Sequence, residues 1–443
     1  MQLPSARHHN APMTDHSDPS ALASPLPVTG LLLTGGGARA AYQVGVLDAI
    51  ADIRIACAVW AKDNPFAVIT GTSAGAINAS ALACGTADFD VAVRRMVDVW
   101  KNFHAGQVYR ADSIGVLRTG ASWLTLMSIG WVLARWRKLK PRSLLDNTPL
   151  LDLLHHMVPL DQLHDSVTQG RLHALAVTAS SYSSGDHVTF FEGADSIQAW
   201  SRSQRYGIRQ RITYQHLLAS SAIPFVFPAK ALPIRGRNEY FGDGSMRQSA
   251  PVAAAIHLGA NRVLVVGAGR LHEPPVDKAN APPDQYPTLA QIAGHTLSNI
   301  FLDALTVDVE RVRRINHTIS LVPPAARAAS ELRPIDLLLI SPSERIDAIA
   351  AKHVGRLPRP VRALLGGVGV TADKSDFRGA ALASYLLFEP EYTRELIALG
   401  RADTLRQRDE VVRFFRWVDP CPIDPTTTGA LREERRRDPL RLR

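Results

Sequence analysis

Residues 67–84 read AVITGTSAGAINASALAC, and this stretch decides the fold. A β-branched run stops at Gly71-Thr72-Ser73-Ala74-Gly75 and gives way to small, helix-compatible residues. This is the pattern of a nucleophile elbow, G-x-S-x-G, in which a strand turns sharply into a helix. The serine must project from a strained turn, so the flanking glycines let the two backbones approach closely. An ordinary glycine-rich turn is the alternative. The strand, turn and helix all stand where the motif needs them, which favours the elbow.

A second glycine motif follows the apolar run 28–33. Gly35, Gly36 and Gly37 expose backbone N–H groups at the start of a predicted helix, where they can hold an oxyanion or a phosphate. The spacing Gly35-x-Gly37-x-x-Ala40 also satisfies the dinucleotide fingerprint. That fingerprint needs an acidic residue about twenty positions on, at the end of a second strand. Asp52 closes the helix instead, so the motif, paired with the elbow, favours an oxyanion loop.

An aspartate between two glycines is the third motif, Gly242-Asp243-Gly244-Ser245. Such a turn is common without any function, but here it stands before a predicted helix and strand and is a candidate carboxylate base. His257 follows in the Ser, Asp, His order of α/β-hydrolases. Because it lies inside an apparently amphipathic helix, a surface or core position explains it better. The sequence therefore favours a Ser–Asp dyad over a histidine triad.

Composition bounds the class of protein. The chain has 443 residues, 46% hydrophobic and 21% charged, typical of a soluble globular protein with one large domain or two. Residues 1–27 predict a disordered tail without a secretory signal, and residues 421–443 a basic tail. The three cysteines, Cys57, Cys84 and Cys421, have no metal or disulfide spacing, which fits a reducing compartment.

The net charge of +9 permits attraction to anionic surfaces. No nucleic-acid recognition motif accompanies it, so a phospholipid surface is at least as good a partner. Residues 119–134, TGASWLTLMSIGWVLA, carry no charge and are followed by basic residues up to 142. A buried helix with a solvated basic end accounts for this pattern. An interfacial helix with Trp123 and Trp131 at headgroup level is the alternative.

The remaining chain predicts alternating strands and helices. Gly400 is interpreted as the C-cap of a helix over 391–399. Further strands are predicted at 172–178, 188–191, 262–266, 319–322 and 337–340, and further helices at 214–221, 252–258, 288–315, 376–387 and 402–417.

Taken in order, GGGARAAYQVGVL, GTSAG and DGS resemble the motifs of the patatin-like phospholipases. The segments ASSAIPFVFPA and ALASYLLFEPEYTRELIALG are similar to bacterial members, and the resemblance spans about 31–408. It implies a three-layer α/β fold, with a mostly parallel central sheet between helices and a helical C-terminal extension. It also implies cleavage of acyl esters of glycerolipids without cofactor or metal.

Carried over by position, the family's nucleophile falls on Ser73 and its base on Asp243. The expected oxyanion and motif residues are Gly35, Gly36, Gly37, Ala38, Ala40, Gly71, Gly75, Gly244 and Ser245. Ala40 and Ser245 depart from the residues usual in the family, but both are small, so we expect altered packing with the chemistry kept. Arg39 matches a family arginine and is expected to anchor structure.

The expected organisation is a catalytic core over 28–270 with an insertion at 113–142, completed by a mainly helical part over 271–420. The expected function is that of a phospholipase A or lysophospholipase-like acyl hydrolase. The expected location is the cytoplasm, with peripheral contact at the inner membrane face through 119–142. A catalytically silent lipid-binding scaffold and an NAD(P)-binding protein are the alternatives. The sequence is silent on headgroup, acyl position, chain length and oligomeric state.

Overall fold

A run of buried apolar residues, Thr29–Leu33, forms the first strand, β1, in the middle of the sheet. The computed structural model describes residues 28–110, 143–270, 286–330, 332–370 and 377–418. The two predicted tails and the segment 119–142 lie outside these ranges. None of the described helices is long and apolar enough to span a membrane.

The described strands form one mixed ten-stranded sheet. After β1 they are β2 (Val68–Thr72), β3 (Ala174–Ser181), β4 (His187–Gly193), β5 (Trp200–Arg202), β6 (Arg205–Arg209), β7 (Lys230–Ile234), β8 (Arg237–Asp243), β9 (Arg262–Val266) and β10 (Asp336–Ile340). Their order is β10-β9-β1-β2-β3-β4-β6-β5, and β8 pairs with both β3 and β7. The run from β10 to β3 is parallel, as predicted for fully buried strands.

Helices cover both faces of the sheet and enclose two apolar cores. The first seven are α1 (Ala41–Ala56), α2 (Ala74–Cys84), α3 (Phe89–Lys101), α4 (Thr148–Met157), α5 (Asp161–Thr168), α6 (Tyr214–Ser220) and α7 (Pro251–His257). The others are α8 (Leu289–Ser298), α9 (Ala304–Leu321), α10 (Pro324–Ala328), α11 (Ile346–His353), α12 (Arg359–Gly367), α13 (Phe377–Ser384), α14 (Pro390–Arg406) and α15 (Arg408–Phe415). The predicted layered α/β class, with helices at the C-terminal end, is confirmed.

The predicted C-cap at Gly400 is wrong, because α14 continues through it to Arg406. A Cβ atom on Gly400 would lie 2.2 Å from the Tyr42 carbonyl oxygen of α1. On the other helix, a Cβ on Gly45 would lie 2.1 Å from the Ile397 carbonyl oxygen. Both glycines therefore serve a close helix–helix approach, and Gly400 does not end its helix.

Two other predictions of secondary structure are corrected. Residues 319–321 belong to helix α9 and not to a strand, and the segment predicted as one helix over 288–315 contains a π-helical turn at Asn299–Asp303. Strands β5 to β8 were not predicted, because they are short or partly exposed and carry little apolar alternation.

Candidate active site

The predicted elbow is present as strand β2, a turn at Ser73 and helix α2. Ser73 has φ 56° and ψ −131°, a conformation that costs a residue other than glycine about 1–3 kcal/mol. The residues two positions before and after Ser73 must be glycine, because there is no space for a side chain. A Cβ on Gly71 would lie 2.5 Å from the Gly75 carbonyl oxygen, and a Cβ on Gly75 would lie 2.4 Å from two carbonyl oxygens at the end of β1. The turn is therefore strained and tightly packed, as a nucleophile elbow requires.

Strand register brings Asp243 to the elbow. Thr72 pairs with Thr178 on one edge of β3, and Asp243 pairs with Ala179, the next residue of that strand. Strand β4 occupies the opposite edge of β3 along this whole length. A strand has only two edges, so β8 must pair with the same edge of β3 as β2 does. It begins to pair where β2 ends, directly after Ser73. The two motifs, 170 positions apart in sequence, thus meet at one point of the sheet.

Asp243 is completely buried, and burial raises its pKa to about 6. Hydrogen bonding from the side chain of Ser73 and from both backbone and side chain of Ser245 opposes this rise. Oδ1 accepts the Ser245 N–H at 2.9 Å. Oδ2 has no partner of full hydrogen-bond geometry among the described residues. The Ser73 hydroxyl therefore lies near the carboxylate without being aligned on it, as is common in unliganded sites.

The glycine loop lies beside the serine. Gly37 and Ser73 line the same cavity, and Gly37 has φ +55°. A Cβ on Gly35 would lie 2.4 Å from the Ser245 hydroxyl oxygen. Within the described chain no hydrogen-bond acceptor is found for the N–H groups of Gly35, Gly36 and Gly37. These three donors are thus unengaged among the described residues, and Gly37 lies at the cavity of Ser73.

Ala38 does not fit its predicted place among the oxyanion donors. Its N–H donates to the Tyr385 carbonyl oxygen at 3.0 Å, so it is already engaged. A Cβ on Gly37 would lie 2.3 Å from the same carbonyl oxygen. The C-terminal region thus packs directly on the loop. The Tyr385 carbonyl lies where a dinucleotide-binding loop must leave room for pyrophosphate. This packing argues against the NAD(P) alternative.

Arg39 anchors this packing, as expected. Its guanidinium donates to the Ser384 hydroxyl at 2.7 Å, forms an ion pair with Asp347 and lies 4.1 Å from the centre of the Tyr385 ring. It is almost fully buried. These contacts tie the loop to helices α11 and α13, and Arg39 does not line the cavity at Ser73.

Sequence reasoning missed a buried polar network behind the elbow. The Thr72 and Thr178 hydroxyls are 2.6 Å apart, and the Gln248 amide donates to Thr72 at 2.9 Å. The Ser73 N–H donates to the Ser220 hydroxyl at 2.8 Å. Ser220 belongs to the segment ASSAIPFVFPA, whose similarity to bacterial members was the one sequence signal that could have pointed to this serine. Nothing in the sequence pointed to Gln248.

An apolar cavity opens at Ser73 and has a volume of about 30 Å³. The residues that line it come from the glycine loop, the elbow with helix α2, helix α3 and the segment after it, helix α4, the loop after α6 and the segment between α13 and α14: Gly37, Ser73, Ala74, Ile77, Trp100, Phe103, Val108, Leu150, Leu153, Met157, Ser221, Ile223, Phe227 and Phe388. Apart from the two serines and the backbone of Gly37, the lining offers an ester substrate only apolar contact.

His257, the candidate for a triad, lies elsewhere. Its ring stacks on Trp200 at 4.8 Å, and Trp200 in turn stacks on Phe191 in the second apolar core. In the parts of the chain that the structure describes, no hydrogen bond or ion pair joins it to Ser73 or Asp243. The same parts contain no cluster of His, Cys, Asp and Glu that could hold a metal ion.

Comparison with known proteins gives the family. The family model described as patatin-like phospholipase matches residues 31–256, which is just over half of the chain. The chain belongs to the patatin-like phospholipase family. It is therefore a lipid ester hydrolase by family, and the suspected resemblance is confirmed. No curated protein matches it.

A search of solved structures finds several similar chains. VipD from Legionella pneumophila is 13% identical over 87% of this chain and 67% of its own, with a TM-score of 0.32. ExoU, a type III effector, is 15% identical over 92% of this chain and 94% of its own, with a TM-score of 0.26. ExoU from Pseudomonas aeruginosa in complex with SpcU gives 15% identity, 93% and 91% coverage and a TM-score of 0.24. At such scores no residue role is transferred.

Proposed function

We propose that this protein hydrolyses carboxylic esters of glycerolipids through a Ser73–Asp243 dyad and an acyl-enzyme. The observation that carries the proposal is the register of β3, where Thr72 and Asp243 pair with consecutive residues. A strained serine at the wall of an apolar cavity is thereby brought next to a buried carboxylate with a raised pKa. A carboxylate in this setting is a suitable base, because its pKa is raised toward neutrality yet it stays ionised at neutral pH.

In the first half-reaction, Ser73 Oγ attacks the ester carbonyl and its proton moves to Asp243. The tetrahedral oxyanion is stabilised by the N–H groups of Gly35, Gly36 and Gly37, with the positive end of helix α2 behind the serine. The C–O bond to the alcohol breaks, and Asp243 returns the proton to the leaving oxygen. Water then attacks the acyl-enzyme by the same path and releases the fatty acid.

The apolar cavity suits the acyl chain, while the alcohol portion leaves toward solvent. Because a volume of about 30 Å³ holds only a few atoms, the walls must separate to admit a full acyl chain. A phospholipase A or lysophospholipase-like specificity agrees with the family. The opposite case, a catalytically silent scaffold, is disfavoured because Ser73, Asp243 and the free loop donors are all in place.

We also propose that the protein works in the cytoplasm, with peripheral contact at the inner face of the membrane. The net charge of +9 and the uncharged segment 119–134 followed by basic residues support this location.

The test measures hydrolysis of p-nitrophenyl esters and phospholipids by the wild type, Ser73→Ala and Asp243→Asn. Each variant is expected to lose activity at least a thousandfold, and a fluorophosphonate probe should label the wild type at Ser73 alone. Ser80→Ala is a matched control on the same helix: Ser80 is buried, and its hydroxyl has no partner among the described residues. Equal activity in wild type, Ser73→Ala and Asp243→Asn rules the dyad out. Labelling of another serine points to a different nucleophile.

A further inference from the structure

Phe225 is an unusual residue on the surface of the protein. Its side chain is 75% exposed, and its backbone has φ +66°. Six non-glycine residues have positive φ in the described chain, and Phe225 is the only one of them with a large apolar side chain. A bulky residue in this left-handed region is strained, and an exposed ring gains nothing from burial. Within the part of the chain that the structure describes, packing explains neither feature.

The turn that carries Phe225 is held firmly in place. The Leu144 N–H donates to the Phe225 carbonyl at 2.8 Å, and the Leu145 N–H donates to the Val226 carbonyl at 2.9 Å. The Val226 N–H closes the turn on the Ile223 carbonyl at 3.1 Å. The left-handed conformation is therefore imposed by neighbouring backbone, and it directs the ring outward as a fixed feature.

Phe225 belongs to a segment that lines the active-site cavity. Ile223 and Phe227, two positions before and after Phe225, are both buried and both line that cavity. The side chains of Ile223 and Phe227 are buried, whereas that of Phe225 is exposed. Phe225 is thus an exposed apolar residue between two residues that line the cavity.

Basic side chains lie at the same place. Arg110 pairs with Asp146 at 3.3 Å, and Lys230 interacts electrostatically with the same carboxylate. Asp146 follows directly on Leu145, which is hydrogen-bonded to the turn of Phe225. These three described groups, one acidic and two basic, together carry one positive charge and lie next in the chain or in contact with the segment that bonds to the turn of Phe225. An aromatic ring beside basic groups is a combination that favours a lipid surface with anionic headgroups.

We propose that Phe225 inserts into the lipid surface and brings the mouth of the cavity against the membrane from which the substrate is taken. This inference rests on the proposed function at Ser73. A second copy of the chain is a weaker occupant, since a single ring without an extended apolar face buries too little area for a stable dimer. The continuity of the ring with the cavity lining, and the positive charge beside it, fit a membrane.

The experiment compares wild type, Phe225→Gly and Phe225→Trp in sedimentation with vesicles of phosphatidylcholine containing phosphatidylglycerol. Glycine removes the ring and also relieves the strain at φ +66°, so its unfolding temperature should equal or exceed that of the wild type. Burial of a phenylalanine predicts a loss of vesicle partitioning of about tenfold or more in Phe225→Gly. Phe225→Trp should keep wild-type partitioning. Trp60→Ser removes an aromatic ring that is 43% exposed and precedes β2 at the other end of the strand; it should have no effect.

Activity separates this proposal from the dyad. Phe225→Gly should hydrolyse monomeric p-nitrophenyl butyrate within about twofold of wild type and vesicle phospholipid about tenfold more slowly. Equal partitioning of wild type and Phe225→Gly overturns the proposal, and so does a lower unfolding temperature of Phe225→Gly, which would show that the ring packs on the chain itself. A change from dimer to monomer with unchanged partitioning also overturns it. If Ser73→Ala keeps its esterase activity, the proposed function is overturned. The proposal for Phe225 is not affected by that result, because vesicle partitioning is measured independently of activity.

Discussion

Replacing Asp243 with asparagine should abolish activity and at the same time stabilise the protein at neutral and alkaline pH. Burial raises the pKa of Asp243 from 3.8 to about 6, so the folded state holds this proton more tightly than the unfolded state does. The proton's contribution to stability is complete below about pH 3.8 and is lost as the pH rises through 6. At about 1.4 kcal/mol per pKa unit, the ionised carboxylate costs the folded state about 3 kcal/mol at pH 8. Asparagine has the same shape and no charge, and its Oδ1 can still accept the Ser245 N–H.

The assay is urea unfolding of wild type and Asp243→Asn at pH 4, 6 and 8. The variant should exceed the wild type by about 3 kcal/mol at pH 8, by less at pH 6 and by almost nothing at pH 4. Asp403→Asn is the control of opposite sign. This buried aspartate pairs with Arg406 and accepts from the Tyr42 hydroxyl, so its variant should be less stable at pH 8. A stability difference for Asp243→Asn that does not change with pH would refute a raised pKa.

The wild-type enzyme should gain activity as the pH rises through about 6, because only ionised Asp243 accepts a proton; a pH–rate profile on a soluble ester checks this. Gly75→Ala should cost more than about 3 kcal/mol in urea unfolding, since its Cβ would lie 2.4 Å from two carbonyl oxygens. Gly106→Ala, where a Cβ meets nothing within 4 Å, should change stability by less than about 0.5 kcal/mol. Gln248→Leu should lower kcat about tenfold with KM unchanged, because one hydrogen bond positioning the end of β2 is lost. Replacing both Trp123 and Trp131 with Ser should weaken liposome binding in a folded variant if 119–142 contacts lipid, and unchanged binding would exclude that contact.

The elbow could be predicted from the sequence because its requirements are local. Gly71 lies at the end of the strand and Gly75 at the start of the helix, and these two elements pack so closely that neither position has room for a side chain. The link between this stretch and Asp243 came from the family resemblance. Strand β8, which carries Asp243 to the site, had no such signal. Its alternation is weak, and its place is set by pairing with β3 some sixty residues away. Sequence periodicity does not contain that information.

The errors also have a tertiary cause. Glycine is the usual residue at a C-cap, yet Gly400 is glycine because the Tyr42 carbonyl of another helix leaves no room for a side chain. Ala38 was expected among the oxyanion donors because it follows the glycines, but the distant Tyr385 carbonyl takes its N–H. In both cases a residue from the opposite end of the chain determines the outcome.

The contact between Tyr385 and the glycine loop bears on the order in which the protein becomes active during its synthesis. Ala38 leaves the ribosome long before Tyr385, and at about 5–20 residues per second the interval between them is roughly 20–70 s. During that time the residues of the elbow have been translated, but the loop beside it lacks the Tyr385 carbonyl that accepts from Ala38 in the full chain. We therefore expect nascent chains to remain lipolytically silent until α13 and α14 have been translated. A lipid ester hydrolase would in this way be kept inactive while it is still being made.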